Sequence, residues 1–257
     1  SYGCPPFGRV PLLPPDHGFD YPSHKLQAAL RPLLRKTHCS ALTVDCSLWD
    51  TESQTDRAQL TSLLIFLLNL DYQLSDLGLK STTIQNQRIT QLTLWCQPQH
   101  QTSLEKLLRE AKATSVGMMA ARRIADLPSD RCTPEFVVTE IEKLIAPYRS
   151  LRCEILEENQ IKLQGLGLLH AVGKGASNPP RMMILRYEGR DQGPFSAYVG
   201  KGITFDTGGL WLKGGDGMYT MKYDMCGAAN VFGLLIAAAE LKLPVRLIGV
   251  LALAENM

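Results

Sequence analysis

Four charged side chains stand out in one stretch of the sequence. Lys201, Asp206, Lys213 and Asp224 lie within residues 199–229, among residues that are mostly glycine or apolar. Carboxylates in closely packed apolar surroundings must be ion-paired, hydrogen-bonded or coordinated to metal, because an isolated buried charge is prohibitively unfavourable. Three arrangements satisfy that demand: two Lys-Asp ion pairs that staple a loop, a metal site with the carboxylates as ligands, or a solvated polar loop. Spacing does not choose among them. The surrounding glycines open backbone conformations closed to other residues and let the chain approach a ligand closely.

Other chemistries are poorly served. His17, His24, His38, His100 and His170 are isolated, with no H-E-x-x-H spacing, and read as surface or structural residues. No G-x-S-x-G motif is present, and Cys226 has no histidine near it in sequence, which argues against serine and thiol hydrolases. The run at 165–175 fails as a phosphate loop. A Walker pattern needs Gly where Leu168 stands and Ser or Thr at Gly175, and a dinucleotide fingerprint needs Gly at His170. Trp211 is suited to packing the loop or to stacking on substrate. Glu255 and Asn256, following the last predicted strand, are placed to buttress the site rather than to bind metal.

The elements that must position these residues are legible from periodicity. A helix is predicted at 25–34, a strand at 41–48, a helix at 56–70 and a strand at 89–95, with a polar loop or frayed strand at 76–88. One long helix follows at 103–124, ending near Leu127-Pro128 because proline disfavours helical geometry in the residue before it. Thr133 caps the next helix, Pro134 suits its first turn, and Phe136, Val137, Ile141, Leu144 and Ile145 form its apolar face. Strands are predicted at 151–156, 181–187 and 195–199, then a glycine-rich loop at 200–217, a helix at 226–241 and a strand at 245–253. Strand, helix-bearing connection and strand make a parallel crossover, so the second half reads as α/β with a buried sheet and a ligand site at the strands' carboxyl ends. The division is a small amino-terminal α/β domain (1–102), a linker helix (103–128) and a partial catalytic domain built on a mixed sheet (129–257).

Bulk properties narrow the partners. In 257 residues, 27 basic side chains oppose 25 acidic ones, a net charge of +2 that gives no field for recruiting nucleic acid or an anionic membrane. No apolar run approaches the roughly 20 residues of a membrane-spanning helix. Residues 1–15 lack the basic and apolar segments of a secretory signal and read as an extended lead-in or as a chain missing its true start. Seven scattered cysteines without a C-x-x-C pair fit buried thiols in a reducing compartment.

Residues 199–225 resemble the signature of the leucine aminopeptidase family. The matching pattern is Gly200-Lys-Gly-Ile-Thr-Phe-Asp206, then Gly208-Gly209, a second lysine at Lys213, and Met221-Lys-Tyr-Asp-Met225. The likeness continues through 241–250 and 254–257, and more weakly through 125–134 and 171–175. About half of the chain is covered. The resemblance implies a two-metal exopeptidase with a preference for leucine-like amino-terminal residues. Lys201 then ligates the more tightly held metal through a neutral amine, Asp206 bridges both metals, and Asp224 joins Lys201 on the tighter one. Lys213 polarises the scissile carbonyl, and Met221 lines the pocket for the first side chain. Two divalent cations, Zn or Mn with Mg or Co also compatible, would bind the free amine of the peptide substrate and activate a bridging water.

The resemblance further implies a cytoplasmic enzyme, alternatively of the mitochondrial matrix, assembled as a homo-hexamer of two stacked trimers. Thr207, Tyr219 and Cys226 depart from the commonest family residues, and Cys226 could crowd the start of its helix. The family segment Asn-Thr-Asp-Ala-Glu-Gly-Arg, which brings the remaining ligands and an arginine, does not occur in these residues. The expectation is therefore that the last strand leaves an unpaired apolar edge and that a second chain or segment completes the catalytic domain. The competing function is a catalytically impaired structural subunit of a larger assembly.

Overall fold

In the computed structural model, residues 41–47, 49–72, 74–79, 90–190 and 192–257 are described. The helix expected at 25–34, most of the polar stretch at 76–88, and Cys4, Cys39, His17, His24 and His38 lie outside them. The chain divides into two compact units, residues 1–71 with 84–108, and residues 72–83 with 109–257.

In the first unit, β1 (Ala41–Asp45), α1 (Gln54–Leu68) and β2 (Gln91–Trp95) form a parallel crossover, the two strands pairing from Ala41 with Gln91 to Asp45 with Trp95. Ser53 caps α1 by accepting a hydrogen bond from the Asp56 amide at 3.4 Å. Leu60, Leu63, Leu64 and Leu67 recur at helical spacing and are buried. The long helix α2 (Gln101–Ala125) stops just ahead of Leu127-Pro128, and its residues 109–125 belong to the second unit.

Past α2, the second unit continues with α3 (Pro134–Ile145). Thr133 Oγ1 accepts from the Phe136 amide at 3.2 Å, and Val137, Val138, Ile141 and Ile145 are buried, so the predicted cap and face are both present. There follow β3 (Leu151–Leu156), α4 (Glu158–Leu163), α5 (Gly167–Gly173), β4 (Arg181–Glu188), β5 (Phe195–Asp206), α6 (Gly214–Met218), a 3-10 turn (Met221–Tyr223), α7 (Cys226–Glu240) and β6 (Arg246–Asn256). The sheet runs β3-β4-β6-β5; β4 is antiparallel to both β3 and β6, while β5 and β6 are parallel across the α7 crossover. It is a mixed α/β fold, as the sequence implies.

Alternation along the strands builds the core. Met183, Leu185 and Tyr187 on β4 and Leu247, Leu251 and Leu253 on β6 are buried in one cluster with Phe232, Leu235 and Ile236 of α7 and the inner face of α3. Burial of each such large side chain stabilises the fold by about 1.5–3 kcal/mol. Helices α2 and α7 cross where Gly117 and Gly233 meet, since a Cβ on either would stand 2.3 or 2.6 Å from the other's carbonyl oxygen. Among the described residues no helix is long and apolar enough to cross a membrane. The five described cysteines are unpaired, and burial is the main influence that pushes the Cys46 and Cys132 thiols up to about 12.

The run at 165–175, to which the sequence assigned no element, contains the short helix α5, preceded by α4. Two expectations are corrected. The stretch read as a loop from Gly200 is strand as far as Asp206, because its backbone stays paired with β6. The last strand reaches Asn256 and is interior, with β4 on one side and β5 on the other, so that among the described residues the sheet edges are β3 and β5.

Candidate metal centre

Lys201 and Asp206 thus stand on a strand, and strand geometry decides where they point. Side chains alternate between faces, so residues five apart on a regular strand face opposite ways. Here Lys201 pairs with Ala252 and Asp206 with Asn256, which are four apart on β6, because a bulge between Ile203 and Phe205 adds one residue to β5. Lys201, Ile203 and Asp206 therefore share a face. Gly200 occupies the other, against α7, where a Cβ would lie 2.5 Å from the Ala228 Cα and 2.6 Å from the Gly227 oxygen. That close approach brings the amino-terminal end of α7, and Asp224 just before it, alongside Lys201.

The turn after β5 then carries Lys213 back to the strand. Gly208, Gly209, Leu210 and Trp211 all adopt positive φ, between 49° and 88°, and reverse the chain. The Lys213 amide donates to the Thr207 oxygen at 3.0 Å. Trp211 is 69% exposed, so packing the loop is not its role, and Leu210 and Leu212 beside it are exposed as well.

Two ion pairs result. Lys213 Nζ lies 2.6 Å from Asp206 Oδ2, and Lys201 Nζ lies 3.3 Å from Asp224 Oδ2. The 3-10 turn links them: Met221 Sδ accepts from Lys213 Nζ at 2.9 Å, and Asp224 follows three residues later. The four charged residues and Met221 are thus drawn into one arrangement. Asp206 is buried, and its Oδ1 accepts from the Gly208 amide at 2.8 Å and from Asn256 Nδ2 at 2.7 Å. Burial opposes its charge, but the hydrogen bonds from Lys213, Gly208 and Asn256, with the Lys213 charge, outweigh it and hold the carboxyl at about 2.

The donor set suits a divalent cation. Asp224 Oδ2 is buried and has no hydrogen-bond donor, since Lys201 approaches without hydrogen-bond geometry. The Lys201 ammonium offsets its charge at 3.3 Å without donating a hydrogen bond, which leaves a lone pair of this oxygen open to a cation. A carboxylate offers about four lone-pair directions. On Asp206 three are taken, and the one that remains is on Oδ2. Among the described residues no group of three or more His, Cys, Asp and Glu could hold a metal, so the set depends on the Lys201 amine as its nitrogen donor. Beside Lys201 opens a cleft of about 510 Å³ lined largely by Leu166, Leu168, Val172, Met182 and Ile203.

A family model for the cytosol aminopeptidase family, catalytic domain, matches residues 119–257. The chain belongs to the cytosol aminopeptidase family. Its family relatives include the probable cytosol aminopeptidase of Pseudomonas aeruginosa strain UCBPP-PA14, 43% identical over 180 residues that cover 69% of this chain and 36% of the relative. The probable cytosol aminopeptidase of Azotobacter vinelandii strain DJ is 43% identical over 171 residues, 66% of this chain and 34% of the relative. Among solved structures, the bottromycin maturation enzyme BotP in complex with Mn superposes with a TM-score of 0.66 at 28% identity, over 91% of this chain and 48% of that one. The chain spans about a third of the length of these curated family members (36% and 34%).

Sequence reasoning placed Asn256 beyond the strand and did not connect it to Asp206. The signal was the register: in parallel neighbours that end together, the last residues of each are adjacent. A second polar contact went unforeseen, in which Asn178 Nδ2 donates to both oxygens of buried Glu255 at 2.9 Å. His100, bonded to Thr51 Oγ1 at 3.0 Å, has the structural role expected of it.

Proposed function

We propose that the protein acts as a metal-dependent aminopeptidase, hydrolysing amino-terminal residues, leucine-like ones preferentially, from peptides. The observation that carries this reading is the buried Asp224 oxygen without a donor beside Lys201, next to the Lys213-Asp206 pair, in a chain of the cytosol aminopeptidase family. Lys201, Asp206 and Asp224 would be among the ligands of two divalent cations, Zn or Mn foremost, with Asp206 contributing the one lone pair left on Oδ2. When bound, the cations supply Lewis-acid polarisation and an activated water, and they recognise the substrate's free amine.

The remaining work falls to the chain itself. Lys213 has three N–H donors; one serves Asp206 and one faces Met221, which leaves one to aim at the scissile carbonyl oxygen and stabilise its charge as water adds. The Asp206 carboxylate keeps that ammonium in place. Met221 offers a soft wall to the first side chain and tolerates several shapes. A segment completing the catalytic domain, a homo-hexameric assembly and a cytoplasmic location complete the proposal. They rest on kinship with cytosol aminopeptidases, as does the manganese assignment in part on the BotP complex with Mn.

Metal content tests the ligand set. The full-length protein, dialysed against Mn and assayed by elemental analysis, is expected to retain the cation, and Asp206→Ala and Asp224→Ala to lose most of it. Equal content in all three would remove these residues from the site, and no cation in any of them favours the structural-subunit reading.

A further inference from the structure

Asn256 is tied to the site twice, by different atoms. Its main-chain oxygen accepts from the Thr207 amide and from Thr207 Oγ1, both at 2.9 Å, and so fastens the turn that follows β5. Its side chain does something else: Nδ2 donates to Asp206 Oδ1 at 2.7 Å, directly across the register that pairs the two residues. Together with the Gly208 amide at 2.8 Å, this contact fills both lone-pair directions of Oδ1. The carboxylate is then fixed about its own axis, with Oδ2 turned toward Lys213.

We infer that Asn256 is a positioning residue of the metal centre: its side-chain amide locks the Asp206 carboxylate in the one orientation that presents Oδ2 to Lys213 and to a cation. The inference rests on the reading of Asp206 as a cation ligand and adds a residue to it. Outer partners of this kind orient ligands that would otherwise rotate among several rotamers, and their loss weakens metal binding without removing a ligand. Only the side chain is involved, so substitution leaves the two main-chain bonds to Thr207 in place. Positioning and strand cohesion can therefore be separated.

The test uses full-length protein and Mn²⁺ alone as probe. Asn256→Asp keeps the shape and removes the donor; Asn256→Ala removes the side chain without adding a charge. Calorimetric titration is expected to show Mn²⁺ affinity falling by about 10- to 100-fold in both variants, with the thermal midpoint nearly unchanged in at least one. Affinities within about twofold of the parent overturn the inference while the cation reading stands, as does a loss that only tracks thermal destabilisation. If the parent itself binds no Mn²⁺, the cation reading fails, and crystal structures of the variants decide the remaining question. A rotated Asp206 carboxylate upholds the orienting role of Asn256, and an unchanged one removes it.

Discussion

Lys201 and Asp206 share one face of β5 although five positions separate them, because the bulge at Thr204 inserts a residue that β6 does not match. A one-residue slip in a strand moves a side chain to the opposite face. Adding one residue to β6 between Ala254 and Glu255, so that Thr204 gains a partner and the bulge is lost, should therefore turn Asp206 toward α7 and the leucines of β6, away from Lys213. An unpaired carboxylate buried there costs about 3–5 kcal/mol. Urea denaturation should show the insertion variant unfolding at markedly lower denaturant. A variant as stable as the parent would mean that the bulge does not set the orientation of Asp206.

Lys213 is predicted to matter more to turnover than to folding. Its Nζ is part-exposed while Asp206 is buried, so loss of the pair in Lys213→Ala should lower stability by about 1–3 kcal/mol, discounted from the cost of stranding a fully buried charge. Removing a donor aimed at developing negative charge should lower kcat by about 100- to 1,000-fold. Steady-state kinetics on the full-length, metal-loaded protein separates the two. A kcat unchanged in Lys213→Ala would show that the lysine serves Asp206 only.

Gly200 admits α7 to within contact of β5, and a methyl group there has nowhere to go. Gly200→Ala should be destabilising by about 1–3 kcal/mol, the usual range for overpacking. Because the displaced helix end carries Asp224, the same variant should bind Mn²⁺ more weakly than the parent. Parallel denaturation and binding measurements check both consequences.

The sign of an alkaline effect follows from Tyr148. Burial first, then the hydrogen bond to Glu240 and that residue's charge, push its hydroxyl up to about 12 from an ordinary value of 10.0. A group whose proton is held more tightly when folded contributes stability that is complete below its unfolded value and lost as pH rises through the folded one. Stability should thus decline between about pH 10 and 12, and Tyr148→Phe should flatten that decline. Urea midpoints recorded at rising pH give the comparison; identical slopes would exclude Tyr148 as a source.

What the sequence disclosed follows from the range of each interaction. Thr133, Pro134 and the apolar spacing of α3 act within a turn or two, and that helix is legible to its ends. Gly200 and Gly202 read as loop because their lack of side chains answers to α7 and β6, which lie far along the chain. Likewise α5 is short and bounded by glycine, so no period had room to appear. The partners Lys201-Asp224 and Lys213-Asp206 could not be assigned from spacing, since the first pair meets through a helix approaching a strand. The bulge left no mark in residue type, and with it the link between Asp206 and Asn256 stayed hidden.

The most direct test of the aminopeptidase reading is the choice between two peptides that differ only at the amino terminus. Full-length protein loaded with Mn or Zn is incubated with a leucyl peptide and with its acetylated counterpart, and release of the first residue is followed by chromatography. The account predicts release from the free-amine peptide, none from the acetylated one, and loss of the reaction in Asp224→Ala. Failure to cleave either peptide with the metal bound, or equal cleavage of both, would contradict it.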